Sequence, residues 1–202
     1  MPRLTHFVSP RLLRRLLLAP LAVVLALAVS GARADTLVFY SPLVPEASGA
    51  TGSGSVQLAY DTTTQLLSIN AQWMGLSGLT TIAHIHCCTS GPGTGTVGVA
   101  VTPGTLPGFP VGVTSGSYAA QIDLGNASSF TGAFLTNFGG GTQAGAIAAL
   151  LAGLAAGTAY FNIHTSAFGG GEIRGFLAVP EPGSLALLAL GMAGLVLARR
   201  RH

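Results

Sequence analysis

Ala83-His84-Ile85-His86-Cys87-Cys88, Tyr160-Phe161-Asn162-Ile163-His164-Thr165 and Gly171-Glu172-Ile173-Arg174-Gly175 all place polar side chains two residues apart. Period two is the spacing of a β-strand, where alternate side chains leave from the same face. His84 and His86 then project together, as do Asn162 with His164 and Glu172 with Arg174, while Ile85, Ile163 and Ile173 project from the opposite faces. If these strands are neighbours, three imidazoles, an amide, a carboxylate and a guanidinium share one patch, flanked by Ile82, Tyr160 and Phe176.

The same reading extends outward from these segments. Gly and Pro recur between short runs of Val, Ile, Leu, Thr and aromatic residues, which marks short strands joined by turns. Strands are expected at Leu37 to Tyr40, Ser55 to Asp61, Gln65 to Trp73, Thr81 to Cys87, Thr96 to Val101, Gly116 to Leu124, Ala159 to Thr165 and Glu172 to Val179. Eight such segments predict an all-β antiparallel sandwich or barrel. One stretch departs from this: Ile147, Leu150, Leu151 and Leu154 fall at helical spacing, predicting a single amphipathic helix over Gln143 to Ala156 with Gly157 as its cap. The stretches Gly91 to Gly95, Gly139 to Gly141 and Gly169 to Gly171 read as loops, since none has the strand-to-helix setting and Lys of a phosphate cradle.

The chain is 202 residues long and only 7% charged, and its charges sit unevenly. All nine basic residues are Arg, and Arg174 alone lies between residues 35 and 179, against Asp35, Glu46, Asp61, Asp123 and Glu172. The pI of 9.3 therefore describes the two ends, and a domain with one Arg has no basic patch for nucleic acid. Residues 1–34 have a basic start, an apolar run from Leu16 to Val29 and the small residues Ala32 and Ala34, the layout of a secretory signal peptide cut by signal peptidase before Asp35. At the other end, Pro180-Glu181-Pro182 precedes the uncharged run Ser184 to Ala198 and then Arg199-Arg200-Arg201. A helix over that run is about 22 Å long against a hydrocarbon core of about 30 Å, so it spans only with help from its flanks. The Arg cluster is expected to stay cytoplasmic.

Two resemblances follow from these residues. Residues 180–202, with Pro-Glu-Pro, a short apolar segment and a terminal Arg cluster in that order, resemble the PEP-CTERM sorting signal of Gram-negative bacteria. That implies an exosortase-type membrane protease as partner, a transient inner-membrane anchor, and delivery to the cell surface or extracellular matrix. Residues 35–179 resemble the CHRD domain, through "VPEASGATGSG" (44–54), "WMGLSGLT" (73–80), "AHIHCC" (83–88), "GLAAGTAYFNIHT" (153–165) and "GGEIRGFL" (170–177). This implies an immunoglobulin-like or related sandwich and says little about activity.

The chemistry of the polar patch has two readings. His84, His86 and His164 have the composition of a three-His zinc or copper site, distantly like the superoxide dismutase sandwich with its His-x-His strand. The preferred reading needs no cofactor: Glu172 pairs with Arg174, Asn162 supports them, and the His donate to carbonyls or to Glu172. Nothing marks a nucleophile with an adjacent base, so the chain is not expected to be an enzyme. In an exported protein Cys87 and Cys88 are first read as a vicinal disulfide, with free thiols, an intermolecular bridge or thiolate metal ligands as alternatives; as a ligand, Cys88 would share the face of His84 and His86. The expected function is an exported structural or binding module, with extracellular polysaccharide or other matrix proteins as candidate partners and metal binding as the alternative. Trp73 is the only Trp, a thin supply for stacking on sugars.

Mature protein is expected to begin at Asp35, and bulky replacements of Ala32 and Ala34 to block processing. Intact-mass analysis of exported material checks this; a mass starting at Met1 would contradict it.

Overall fold

The alternating segments become eight strands: β1 (Thr36–Pro45), β2 (Ser53–Asp61), β3 (Leu66–Met74), β4 (Thr80–His86), β5 (Val99–Val101), β6 (Gly116–Asp123), β7 (Tyr160–Thr165) and β8 (Ile173–Phe176). The computed structural model describes residues 36–179. The expected signal peptide, Asp35, and the sorting residues Pro180, Glu181, Pro182, Arg199, Arg200 and Arg201 lie outside the described residues, as do the two segments expected to form terminal helices.

All neighbouring strands are antiparallel, in the order β5-β4-β7-β8-β1-β2-β3-β6. The fold is therefore all-β, built as one curled sheet and not as two separate ones. β1 makes the join. Its residues Thr36 to Leu43 pair with β2, and Val44 and Pro45 then pair with Arg174 and Ile173 of β8. Where β1 changes partner, Gly175 lies against it so closely that a Cβ would overlap the Pro42 carbonyl oxygen. Both inner faces feed one apolar cluster, which takes Phe39, Leu58 and Ile69 from one half and Ile85, Phe161 and Ile163 from the other.

The two halves differ in how they meet water. β2 and β3 alternate, burying Val56, Leu58, Leu67 and Ile69 while exposing Gln57, Asn70 and Gln72. β7 is buried at every residue and β4 from Ala83 to His86. The polar face of β4, β7 and β8 is thus an interior layer, covered by loops, and its polar groups need partners inside the protein.

Two helices pack on this sheet, where one was expected. α2 (Gln143–Ala155) starts at Thr142, whose side chain accepts from the Gly145 amide, and buries Ile147, Leu150 and Leu154. Gly157 follows its cap with φ 68°, a left-handed turn that suits glycine. The helix without a sequence expectation is α1 (Gly132–Asn137), too short to show a period; Thr131 caps it and Phe134 anchors it against Phe130. No helix among the described residues is long and apolar enough to cross a membrane.

Gly175→Ala should cost about 1 to 3 kcal/mol, because two backbones meet there and neither can yield. Gly132→Ala, with open space around its Cβ position, should be neutral or slightly stabilising. Urea midpoints of the two variants against wild type make the comparison; equal midpoints would contradict the close approach.

Candidate functional site

The pairing of β4 with β7 sets His84 opposite Asn162 and His86 opposite Tyr160, and puts His164 across from Ile82. This brings the three imidazoles together, with their ligand-capable nitrogens all within 4.8 Å of one another. His84 Nδ1 lies 3.2 Å from His164 Nε2. His86 stacks on Tyr160 with ring centroids 4.6 Å apart and an interplanar angle of 6°. All three are buried, each less than a tenth exposed.

The covering loops fix how these rings present their nitrogens. A carbonyl can only accept, so His86 Nδ1–H donates to Val97 O at 2.7 Å and His164 Nδ1–H donates to Gly169 O at 2.9 Å. Both rings then turn Nε2 toward the cluster. Burial, with the neighbouring His164 and His86 adding to it, pushes the His84 ring down to about 4 from 6.5 despite a backbone hydrogen bond to Gly104. Burial also lowers His86, partly offset by Val97. Both rings are neutral near pH 7, which is the form that offers a lone pair.

The acidic groups do not follow the expected pairing. Glu172 precedes β8, beyond Gly171 at φ 124°, so strand alternation does not govern it. It is fully buried, and its carboxylate accepts from the Ser77 amide at 2.5 Å, the Gly78 amide at 3.3 Å and the Thr165 hydroxyl at 2.6 Å. Arg174 turns away from it to Glu46, 3.2 Å distant, and also donates to the Gly95 carbonyl. Its guanidinium lies 5.4 Å from the centre of the Tyr160 ring and 5.1 Å from that of Phe176. The carboxylate beside the polar layer is therefore Glu46, which sequence reasoning missed. It enters through the β1 to β8 pairing, contact between segments more than a hundred residues apart, and no local pattern marks it.

Cys87 and Cys88 form a disulfide across a cis peptide bond. Their sulfurs face α2: a Cβ at Gly153 would overlap Cys87 Sγ and lie 2.8 Å from Cys88 Sγ. Cys88 is consequently removed from the imidazole face that alternation assigned to it. Trp73, stacked on Phe109 at 5.1 Å, is buried in the core and offers nothing to a surface ligand.

The family model of the CHRD domain matches residues 37–177, the stretch that holds all eight strands except the first residue of β1. The chain belongs to the CHRD domain family. A PEP-CTERM protein-sorting motif follows at once, over residues 178–201. No curated protein and no solved structure matches the chain. The motif makes this CHRD protein an exported one, processed by an exosortase-type system.

Burial acts to raise the Glu172 carboxyl, and hydrogen bonds from Thr165, Ser77 and Gly78 outweigh it, so the group sits below its ordinary 4.5. A carboxyl depressed in this way stabilises the fold above 4.5 and loses that contribution as the pH falls through and below it. Glu172→Ala, which leaves the Ser77 and Gly78 amides and the Thr165 hydroxyl without their acceptor, should cost about 2 to 5 kcal/mol near pH 7. The gap between wild type and Glu172→Gln should narrow as the pH drops below 4.5. Denaturant unfolding across pH measures both; a gap independent of pH would show that the carboxylate charge is not what the loop recognises.

Proposed function

We propose that the chain is a non-enzymatic module displayed at the cell surface or in the extracellular matrix, held transiently in the inner membrane by its tail until an exosortase-type protease releases it. The observation that carries this is the direct succession of a CHRD domain ending at residue 177 and a sorting motif starting at residue 178. With no residues between them, the folded domain is the cargo and the tail its address.

The surface supports a binding or structural role. The outer face of β1, β2, β3 and β6 presents Gln57, Asn70, Gln72 and Ser117 with Tyr40, a neutral array of amides and hydroxyls suited to hydrogen-bonding partners such as polysaccharide or other matrix proteins. With Trp73 buried, a partner on this face is held by hydrogen bonds more than by ring stacking. An immunoglobulin-like or superoxide-dismutase-like sandwich is the finer description of the fold that fits one core enclosed by both halves of the sheet.

Replacing Arg199, Arg200 and Arg201 with neutral residues should impair retention and sorting, because these charges hold the tail in the cytoplasm. Fractionation of cells carrying that variant tests this: loss of surface protein is expected, and unchanged surface delivery would contradict the reading.

A further inference from the structure

The polar layer contains lone pairs that the protein does not use. Glu46 Oε2, His86 Nε2 and Asn162 Oδ1 are buried without a hydrogen-bond partner among the described residues. Each is an acceptor, since His86 spends its one proton on Val97. Beside them, at most one proton fits between His84 Nδ1 and His164 Nε2, so at least one of these nitrogens also faces the cluster as a lone pair. A hydrogen bond from His84 to His164 would satisfy that pair without reaching His86 Nε2, whose side-chain neighbour is Asn162. Stranding a buried polar atom costs about 1 to 3 kcal/mol, so the three clustered imidazoles, with His86 Nε2 lacking a donor, suit a positive partner.

We propose that His84, His86 and His164 form a three-imidazole site for a late first-row divalent cation, Zn²⁺ or Cu²⁺, with a fourth position for a small exogenous ligand. This goes beyond the sorting reading and does not depend on it. With metal–nitrogen bonds of about 2.0 to 2.1 Å, a tetrahedral site has ligand nitrogens about 3.3 Å apart. His84 Nδ1 and His164 Nε2 already stand at 3.2 Å, and the full set within 4.8 Å needs only a modest inward tilt. The orientation is that of metal ligands: two rings donate their outer N–H to backbone carbonyls and turn the other nitrogen inward.

The donor set selects the class of ion. Neutral imidazoles suit zinc and copper, whereas Ca²⁺ and Mg²⁺ require oxygen ligands. Of the nearby carboxylates, Glu172 is held by the Ser77–Gly78 loop and Glu46 is held through Oε1 by Arg174, and the disulfide withholds both thiolates. Three protein ligands leave one tetrahedral position open, the layout in which a metal keeps a water or other small ligand.

The test uses the full chain expressed with its own export signals and purified without a His tag. After dialysis, elemental analysis should find one Zn²⁺ or Cu²⁺ per chain, and the melting temperature should fall in chelator and recover with one equivalent of metal. Equimolar competition identifies which of the two ions is held, and retention of either supports the site. His86→Phe keeps an aromatic ring beside Tyr160 while removing the ligand atom; it should weaken metal affinity by about 100-fold or more and abolish the metal-dependent rise in melting temperature. Should that variant not fold, Co²⁺ bound to wild type serves instead, with the intense visible bands of tetrahedral coordination expected. Protein that holds no metal and melts at one temperature with or without it overturns the proposal. So does metal that His86→Phe retains undiminished, or Co²⁺ spectra of octahedral type.

Discussion

A sheet half buried on both faces has no solvent in which to place polar side chains, and that constraint organises this domain. β4 and β7 send Ile85, Phe161 and Ile163 into the apolar core and His84, His86, Asn162 and His164 into a second interior layer. A polar group there finds no solvent, and a stranded one costs a sizeable part of a typical domain's net stability of about 5 to 15 kcal/mol. The Gly-rich loops provide part of the answer. Val97 and Gly169 each present a carbonyl to one ring, Gly104 supports a third, and Gly95 accepts from Arg174. Loops that read as simple connections in the sequence act here as the hydrogen-bonding lid of the layer.

Glu172 shows how the same constraint ties the halves of the sheet together. Its carboxylate reaches from the start of β8 to the amides after β3, and its backbone carbonyl accepts from Glu46 at the end of β1. Desolvating a carboxylate costs several kcal/mol, and three charge-assisted hydrogen bonds of about 1.5 to 3 kcal/mol each are enough to offset it without a cation. Arg174 is thereby free to pair with Glu46 and to cover the Tyr160 and Phe176 rings. The two acids divide the work, one joining strands to a loop and the other neutralising the lone guanidinium of the layer.

Much of this was legible in the sequence where side chains obey a period. All eight strands follow from alternation or from apolar runs between turn residues, and the three His come together because period two puts each on the polar face. Legibility failed where the period breaks. Extrapolating alternation through Gly171 paired Glu172 with Arg174, but the positive φ there turns Glu172 toward Ser77 and Gly78. The vicinal disulfide of Cys87 and Cys88 is as expected, but the alternation that would set Cys88 beside His84 and His86 as a ligand fails, because the disulfide sets it beneath α2. β1 runs on to Pro45 through two prolines that argue against a strand, because its last residues change partner at the join. Glu46 was out of reach for a different reason, since its role arises from strand order, which no local pattern encodes.

Three imidazoles of this interior layer, His84, His86 and His164, stand close enough to hold one cation, as proposed above. Anomalous diffraction from crystals of the exported protein, collected on both sides of the zinc and copper absorption edges, tests this most directly. One peak is expected, about 2.0 to 2.1 Å from His84 Nδ1, His86 Nε2 and His164 Nε2. A map with no anomalous peak at the three rings, and His84 hydrogen-bonded directly to His164, would contradict it.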